Sequence, residues 1–333
     1  MFENSDNGVF HFTPSEVLPS NIPDLNFYHY TSPEGLLGIL NDKTLRFSDC
    51  QFLNDKSEYL HIKAPLKTAL SLAMKHLHFD YFQSLMDQIP DNFEDIHLKI
   101  TQGQRGGGIF MKRLNRRYFV LCASYERDSL NMWNYYTKGG NYQGYNLEIN
   151  LRTLLECFSI TKIKDIDIFC GRVIYEEEEQ IEILKELLIQ ADENLHNELE
   201  KLKGYDDDYK DYIELNDVAI DEAIGNLLSQ IERYRLFFKD TAFSNEKEFR
   251  FVIRASMLNG VIDPVLKPNF CVKNGIVTPF FQLSYRNKQI INSITLSPML
   301  DKNLAEIGLK KFLAFKKHSK TIQIRQSVIP IRY

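Results

Sequence analysis

The sequence predicts an α+β protein, a mixed or antiparallel sheet with flanking helices and one helical insertion. Three observations carry that expectation. Strand-like runs rich in β-branched and aromatic residues recur at 118–125, 144–150, 248–254 and 290–296. Between about 176 and 240 the pattern changes: charged residues alternate with apolar ones at helical spacing, from Ile181 to Leu202 and from Ile220 to Ile231. The strand pattern then returns. The helical stretch therefore reads as an insertion within a single domain of residues 25–333, preceded by a polar arm at 1–24.

Taken in order, the first unit is Phe27-Tyr28-His29-Tyr30-Thr31, an aromatic strand that runs straight into a helix start. Ser32 is placed as N-cap, Pro33 as the first helical residue and Glu34 in the first turn, with Leu36, Leu37, Ile39 and Leu40 forming one apolar face. His29 thus stands where a strand hands over to a helix, facing a cleft. Thr44–Ser48 is a second strand. A loop through Phe52–Asp55 leads to a helix at Ser57–His78, and a second helix is expected at Asp80–Ile89. The glycine-rich stretch 102–108 lacks the Gly-Lys-Ser/Thr ending of a phosphate-binding loop and reads as a connection.

Tyr118–Tyr125 is a strand followed by the turn Glu126-Arg127-Asp128. Ser129–Tyr136 is a short helix carrying Met132, the single tryptophan Trp133, Tyr135 and Tyr136. Strands follow at 144–150 and 168–175. The two amphipathic helices of the insertion suit either a hairpin packed on the sheet or a surface that binds a partner, and Asp206-Asp207-Asp208 marks a solvated boundary between them. Strands at 248–254, 275–281 and 290–296, a helix at Lys302–His318 and a strand at Thr321–Ile324 complete the chain.

Composition narrows the function. The chain has 333 residues, 44% hydrophobic and 12% aromatic, enough for a substantial core. A net charge of −5 gives no electrostatic case for non-specific nucleic-acid binding. No apolar run reaches bilayer-spanning length, and the acidic start Met1-Phe2-Glu3 is unlike a signal peptide. The five cysteines are scattered without a Cys-x-x-Cys pair, so neither a zinc site nor a disulfide framework is expected. A soluble cytoplasmic protein without metal or membrane contact is the expectation.

Four short motifs carry a resemblance. They are His29-Tyr30-Thr31, Cys122-Ala123-Ser124, Met132-Trp133-Asn134-Tyr135-Tyr136 and Glu246-Lys247-Glu248-Phe249-Arg250. In this order they resemble the His-Tyr-Glu layout of diphtheria-toxin-like and poly-ADP-ribose-polymerase-like ADP-ribosyltransferases. They also resemble a bacterial family known as a domain of unknown function, some of whose members are linked to abortive infection. The likeness spans roughly 27–254. Two positions depart from it: Tyr30 stands where the polymerase-like branch has Gly, and Phe249 where the family has Trp.

The resemblance implies a split sheet and an enzyme that uses NAD as substrate, cleaving the nicotinamide–ribose bond as a toxin or anti-phage effector. Glu248 and His29 would be catalytic. Glu248 would stabilise the oxocarbenium-like ribose of the transition state, a role that strengthens in a dry cleft. His29, Tyr30, Thr31, Ser124, Tyr125, Trp133, Tyr136 and Glu246 would line the NAD site, with Tyr136 or Tyr125 stacked on the nicotinamide and Ser124 positioning the glutamate. The acceptor, a protein or a nucleic acid, is open, as is simple hydrolysis of NAD. A catalytically silent sensor or interaction module docking through 176–240 is the alternative. A cysteine hydrolase ranks third, because Cys122 lies inside a strand.

Overall fold

The computed structural model describes residues 9–12, 22, 24–53, 58–78, 115–137, 142–161, 166–202, 209–258, 261–262, 268–273, 275–286, 288–318 and 321–331. The helix expected at 80–89 and the glycine-rich stretch 102–108 lie outside them.

The protein is built on one mixed sheet with helices on both faces. Its strands are β1 (Val9–Phe12), β2 (Asn26–Thr31), β3 (Thr44–Asp49), β4 (Asn115–Ser124), β5 (Tyr145–Asn150), β6 (Ile166–Arg172), β7 (Glu248–Leu258), β8 (Val261–Ile262), β9 (Asn269–Lys273), β10 (Ile276–Ser284), β11 (Ile291–Leu296) and β12 (Gln323–Gln326). The helices are α1 (Pro33–Asp42), α2 (Glu58–His61), α3 (Lys63–Ala73), α4 (Leu130–Tyr136), α5 (Leu151–Thr161), α6 (Glu177–Leu202), α7 (Tyr209–Arg235) and α8 (Lys302–Phe315). Within the segment expected as an arm, Val9–Phe12 forms an edge strand on β6.

The main path of the sheet runs β1-β6-β7-β4-β2-β5-β11-β12. Its centre forks. β4 pairs with β7 along its full length. On the other side Phe119 and Val120 pair with β3, whereas Ser124 pairs with Tyr28 of β2. Among the described residues, Leu121, Cys122 and Ala123 have no strand partner on that side. One arm continues from β3 to β10 and β9, the other from β2 to β5, β11 and β12. Among the described residues all strand pairs are antiparallel except β11 with β12.

Period-two alternation assigns the two faces of the sheet to two cores. Phe119, Leu121, Phe249, Phe251 and Ile253 pack on one side with α1, α5 and α8. Tyr118, Val120 and Val252 pack on the other with α3, α6 and α7. The inserted helices are therefore a packed layer: Ile183, Leu184 and Leu188 of α6 and Leu227, Ile231 and Tyr234 of α7 are buried against the sheet and α3. Gln180 fastens this layer. Its side-chain amide donates to the carbonyls of Ile174 (2.7 Å) and Lys239 (3.1 Å), and its oxygen lies 2.9 Å from His61.

Local signals set the ends of the elements around the fork. The Ser32 hydroxyl accepts from the Gly35 amide at 3.1 Å, and Lys43 closes α1 in the left-handed conformation (φ 52°). The Ser129 hydroxyl caps α4 by accepting from Met132. Asp240 caps a 3-10 turn at Thr241–Glu246, which Lys247 ends with φ 41°. Glu246 consequently belongs to the turn, and the strand begins at Glu248 as expected.

Candidate active site

A cavity of about 310 Å³ opens at the fork, on the face of Cys122 and Arg250. β2 brings His29 and Tyr30 to its wall, α4 brings Met132 and Tyr136, and the turn before β7 brings Glu246 and Glu248.

His29 fills the gap in the ladder. Its Nδ1 lies 2.9 Å from the Cys122 carbonyl, one of the groups left without a strand neighbour. A carbonyl only accepts, so Nδ1 carries the proton and Nε2 is the acceptor. Burial lowers the pKa of the ring, opposed by this bond, so the imidazole is neutral around pH 7.

The floor of the cavity holds four charged side chains. Arg250 Nε and Nη2 grip Glu248 Oε1 and Oε2, both at 2.9 Å. Lys239 Nζ reaches Glu246 Oε2 at 2.7 Å and Glu248 Oε2 at 3.3 Å. Arg250 also donates from Nη1 to the Leu236 carbonyl at 2.7 Å. Burial alone would push the Glu248 carboxyl up, but Arg250 and Lys239, with hydrogen bonds from Arg250 and the Cys122 thiol, hold it at about 2. It is a buried anion. Glu246 is raised by burial and by the Glu248 charge, with Lys239 opposing. Burial and the two carboxylates raise the Tyr136 hydroxyl well above its ordinary value, leaving it a donor.

Of the residues expected at the site, His29, Tyr30, Tyr136, Glu246 and Glu248 share this cavity. Thr31, Ser124, Tyr125 and Trp133 do not line it. Ser124 is fully buried and donates to the Glu246 carbonyl at 2.7 Å while accepting from the Glu126 amide, so it fixes the backbone of the glutamate turn. Trp133 is fully buried; its indole donates to Asp128 at 2.7 Å and its ring meets Tyr30 edge-on at 4.7 Å. Tyr125 is partly exposed and sets its ring edge against Phe249 at 5.2 Å. Thr31 packs under Gly35, where a Cβ would come within 2.1 Å of its hydroxyl.

Sequence reasoning missed Arg250, Lys239, Arg46, Ser48 and Lys273, which also line the cavity. Arg250 was legible, since a residue two after Glu248 in a strand shares its face. Arg46 and Ser48 alternate with the core residues Leu45 and Phe47 in the same way. Lys239 had no sequence signal, because it reaches the site from the end of the inserted helices.

Among the described residues no helix is long and apolar enough to cross a membrane, and no group of three His, Cys, Asp or Glu side chains could hold a metal ion. Residues 132–251 match a family described as "Protein of unknown function (DUF2971)". That match begins in α4 and ends in β7, covering the Tyr136 and Glu248 elements but not the His29 strand. No curated protein and no solved structure matches the chain.

Proposed function

We propose that the protein is an ADP-ribosyltransferase-like enzyme that cleaves the nicotinamide–ribose bond of NAD, acting as a toxin or anti-phage effector on a macromolecule. The observation that supports this best is the convergence of neutral His29, the Tyr136 ring and ionised Glu248 on one cavity at the fork of the sheet. On this reading the nicotinamide nitrogen leaves with the bonding electron pair, and the positive charge that develops on the ribose faces Glu248. His29 Nε2 accepts a ribose hydroxyl, and Tyr136 stacks on or donates to the nicotinamide. Lys239 engages Oε2 of Glu246, leaving Oε1 without a hydrogen-bond partner among the described residues, and the raised pKa of this carboxyl suits it to take the proton of the attacking water or acceptor group.

The test is release of free nicotinamide from NAD by the purified protein. Glu248→Gln should lower turnover by about a hundredfold while NAD still raises the melting temperature. One observation favours a catalytically silent, ligand-binding module instead: Arg250, Lys239 and the Cys122 thiol occupy the acceptor positions of Glu248. On that reading NAD stabilises the protein and no nicotinamide appears.

A further inference from the structure

The inner charges of the cavity cancel, two carboxylates against Lys239 and Arg250, and Glu248 and Glu246 are both already paired. Two further cations on the wall, Arg46 and Lys273, have no carboxylate partner among the described residues. Arg46 is exposed and lies over the Phe280 ring, with its guanidinium carbon 4.8 Å from the ring centre. A guanidinium held flat on an aromatic ring keeps its in-plane N–H donors free for a ligand. Ser48 is two residues on, so both side chains leave the same face of β3, and its hydroxyl makes no hydrogen bond among the described residues. Lys273 stands on β9, separated from β3 by β10. The register places Arg46 opposite Gln282 and Lys273 opposite Ile276, well apart along β10. The uncompensated charge is therefore spread along one wall.

We propose that Arg46 and Ser48 form a phosphate subsite of this cavity, with Lys273 as a second, outer cation, so that the cavity selects nucleotides carrying a pyrophosphate over nucleosides that carry no phosphate. The proposal rests on the nucleotide reading of the site and adds to it the group that anchors the ligand. Arg46 suits the role through paired N–H donors matched to phosphate oxygens, with Ser48 adding a third. The inner quartet, already neutral, offers an anion no net attraction.

The test is calorimetric titration of the full chain and its Arg46→Gln and Lys273→Gln variants with ADP-ribose, NAD, nicotinamide riboside and inorganic pyrophosphate. ADP-ribose and NAD should bind at least tenfold more tightly than nicotinamide riboside. Arg46→Gln should weaken both by about tenfold and flatten the dependence of affinity on salt, and Lys273→Gln should do so to a smaller degree. Because Arg46 is exposed, the unliganded melting temperature should not move. Nucleotide binding that Arg46→Gln leaves at wild-type strength overturns the subsite while the nucleotide reading stands. Pyrophosphate binding that Arg46→Gln abolishes, without any binding of ADP-ribose or NAD, supports the subsite and removes the nucleotide reading. Absence of binding by all four ligands overturns both.

Discussion

Glu248 shows how strongly a single ionised group can be coupled to the fold. Its carboxyl is held at about 2, against an ordinary value of 4.5, with both oxygens in the grip of Arg250. A group whose pKa is depressed in the folded state stabilises the fold above its unfolded value and loses that contribution as pH falls through the folded one. Wild-type stability should therefore drop between about pH 4.5 and 2, and the acid limb should be shallower in Glu248→Gln, as read from urea midpoints across that range. An equally steep limb in the variant would sink this account. Removing one member of a buried pair also leaves the partner's charge uncompensated, so Glu248→Gln should be less stable than wild type near neutrality, by roughly 3 kcal/mol if the fold does not adjust. His29 adds a second acid-sensitive group, because burial favours its neutral form. Protonation below the ordinary histidine range both opposes folding and removes the Nε2 acceptor, so on the proposed NAD reading the ligand should bind less tightly as pH falls below that range.

Among the elements, α4 is tied to the chain after β12 through Asp128. The Asp128 carboxylate accepts from the Trp133 indole (2.7 Å), the Ser327 hydroxyl (2.8 Å) and the Val328 amide (2.9 Å). It ties the aromatic helix to the chain after β12, and Ile329 packs on the same aromatic cluster. Asp128→Ala strands three donors, one of them on the fully buried Trp133. The expected loss is about 2 kcal/mol or more, with faster proteolysis after β12. Proteolysis at the wild-type rate would show that the cluster alone holds the segment. Gly144 is a second point of close approach. A Cβ there would come within 2.5 Å of Thr137 Cγ2 and 2.7 Å of the Thr31 carbonyl, so Gly144→Ala should destabilise by about 1–3 kcal/mol through backbone displacement at the start of β5.

For the whole molecule, the inserted helices close one face of the sheet. Ile183, Leu184, Leu188, Leu227 and Ile231 cover Tyr118, Val120 and Val252, and the chain leaving α7 delivers Lys239 to the cavity. Replacing 177–235 by a short linker should abolish cooperative thermal unfolding, because it uncovers a continuous apolar sheet face. If the helices were a removable docking module, the shortened chain would unfold at its original midpoint. Any partner of this segment must therefore be met on the solvent-facing side of α6 and α7.

Local sequence pattern was enough to determined which residues could form strands and helices here, and which faces they would bury. The alternation through 118–125 and 248–254 required one apolar and one mixed face in each strand, and Ser32, Pro33 and Ser129 marked helix starts through hydrogen bonds within three or four residues. These effects are local, so they can be read from spacing alone. Only the tertiary structure decided that β4 is shared between two arms, because strand pairing depends on contacts between segments more than ninety residues apart, such as Cys122 with His29. The fork made the cavity and separated the nominated residues, bringing Tyr136 to it and placing Trp133 in the core. It also supplied the counter-charges of the glutamates. Lys239 lies in sequence beyond two long helices, and only their packing against the sheet brings its ammonium to within 2.7 Å of Glu246.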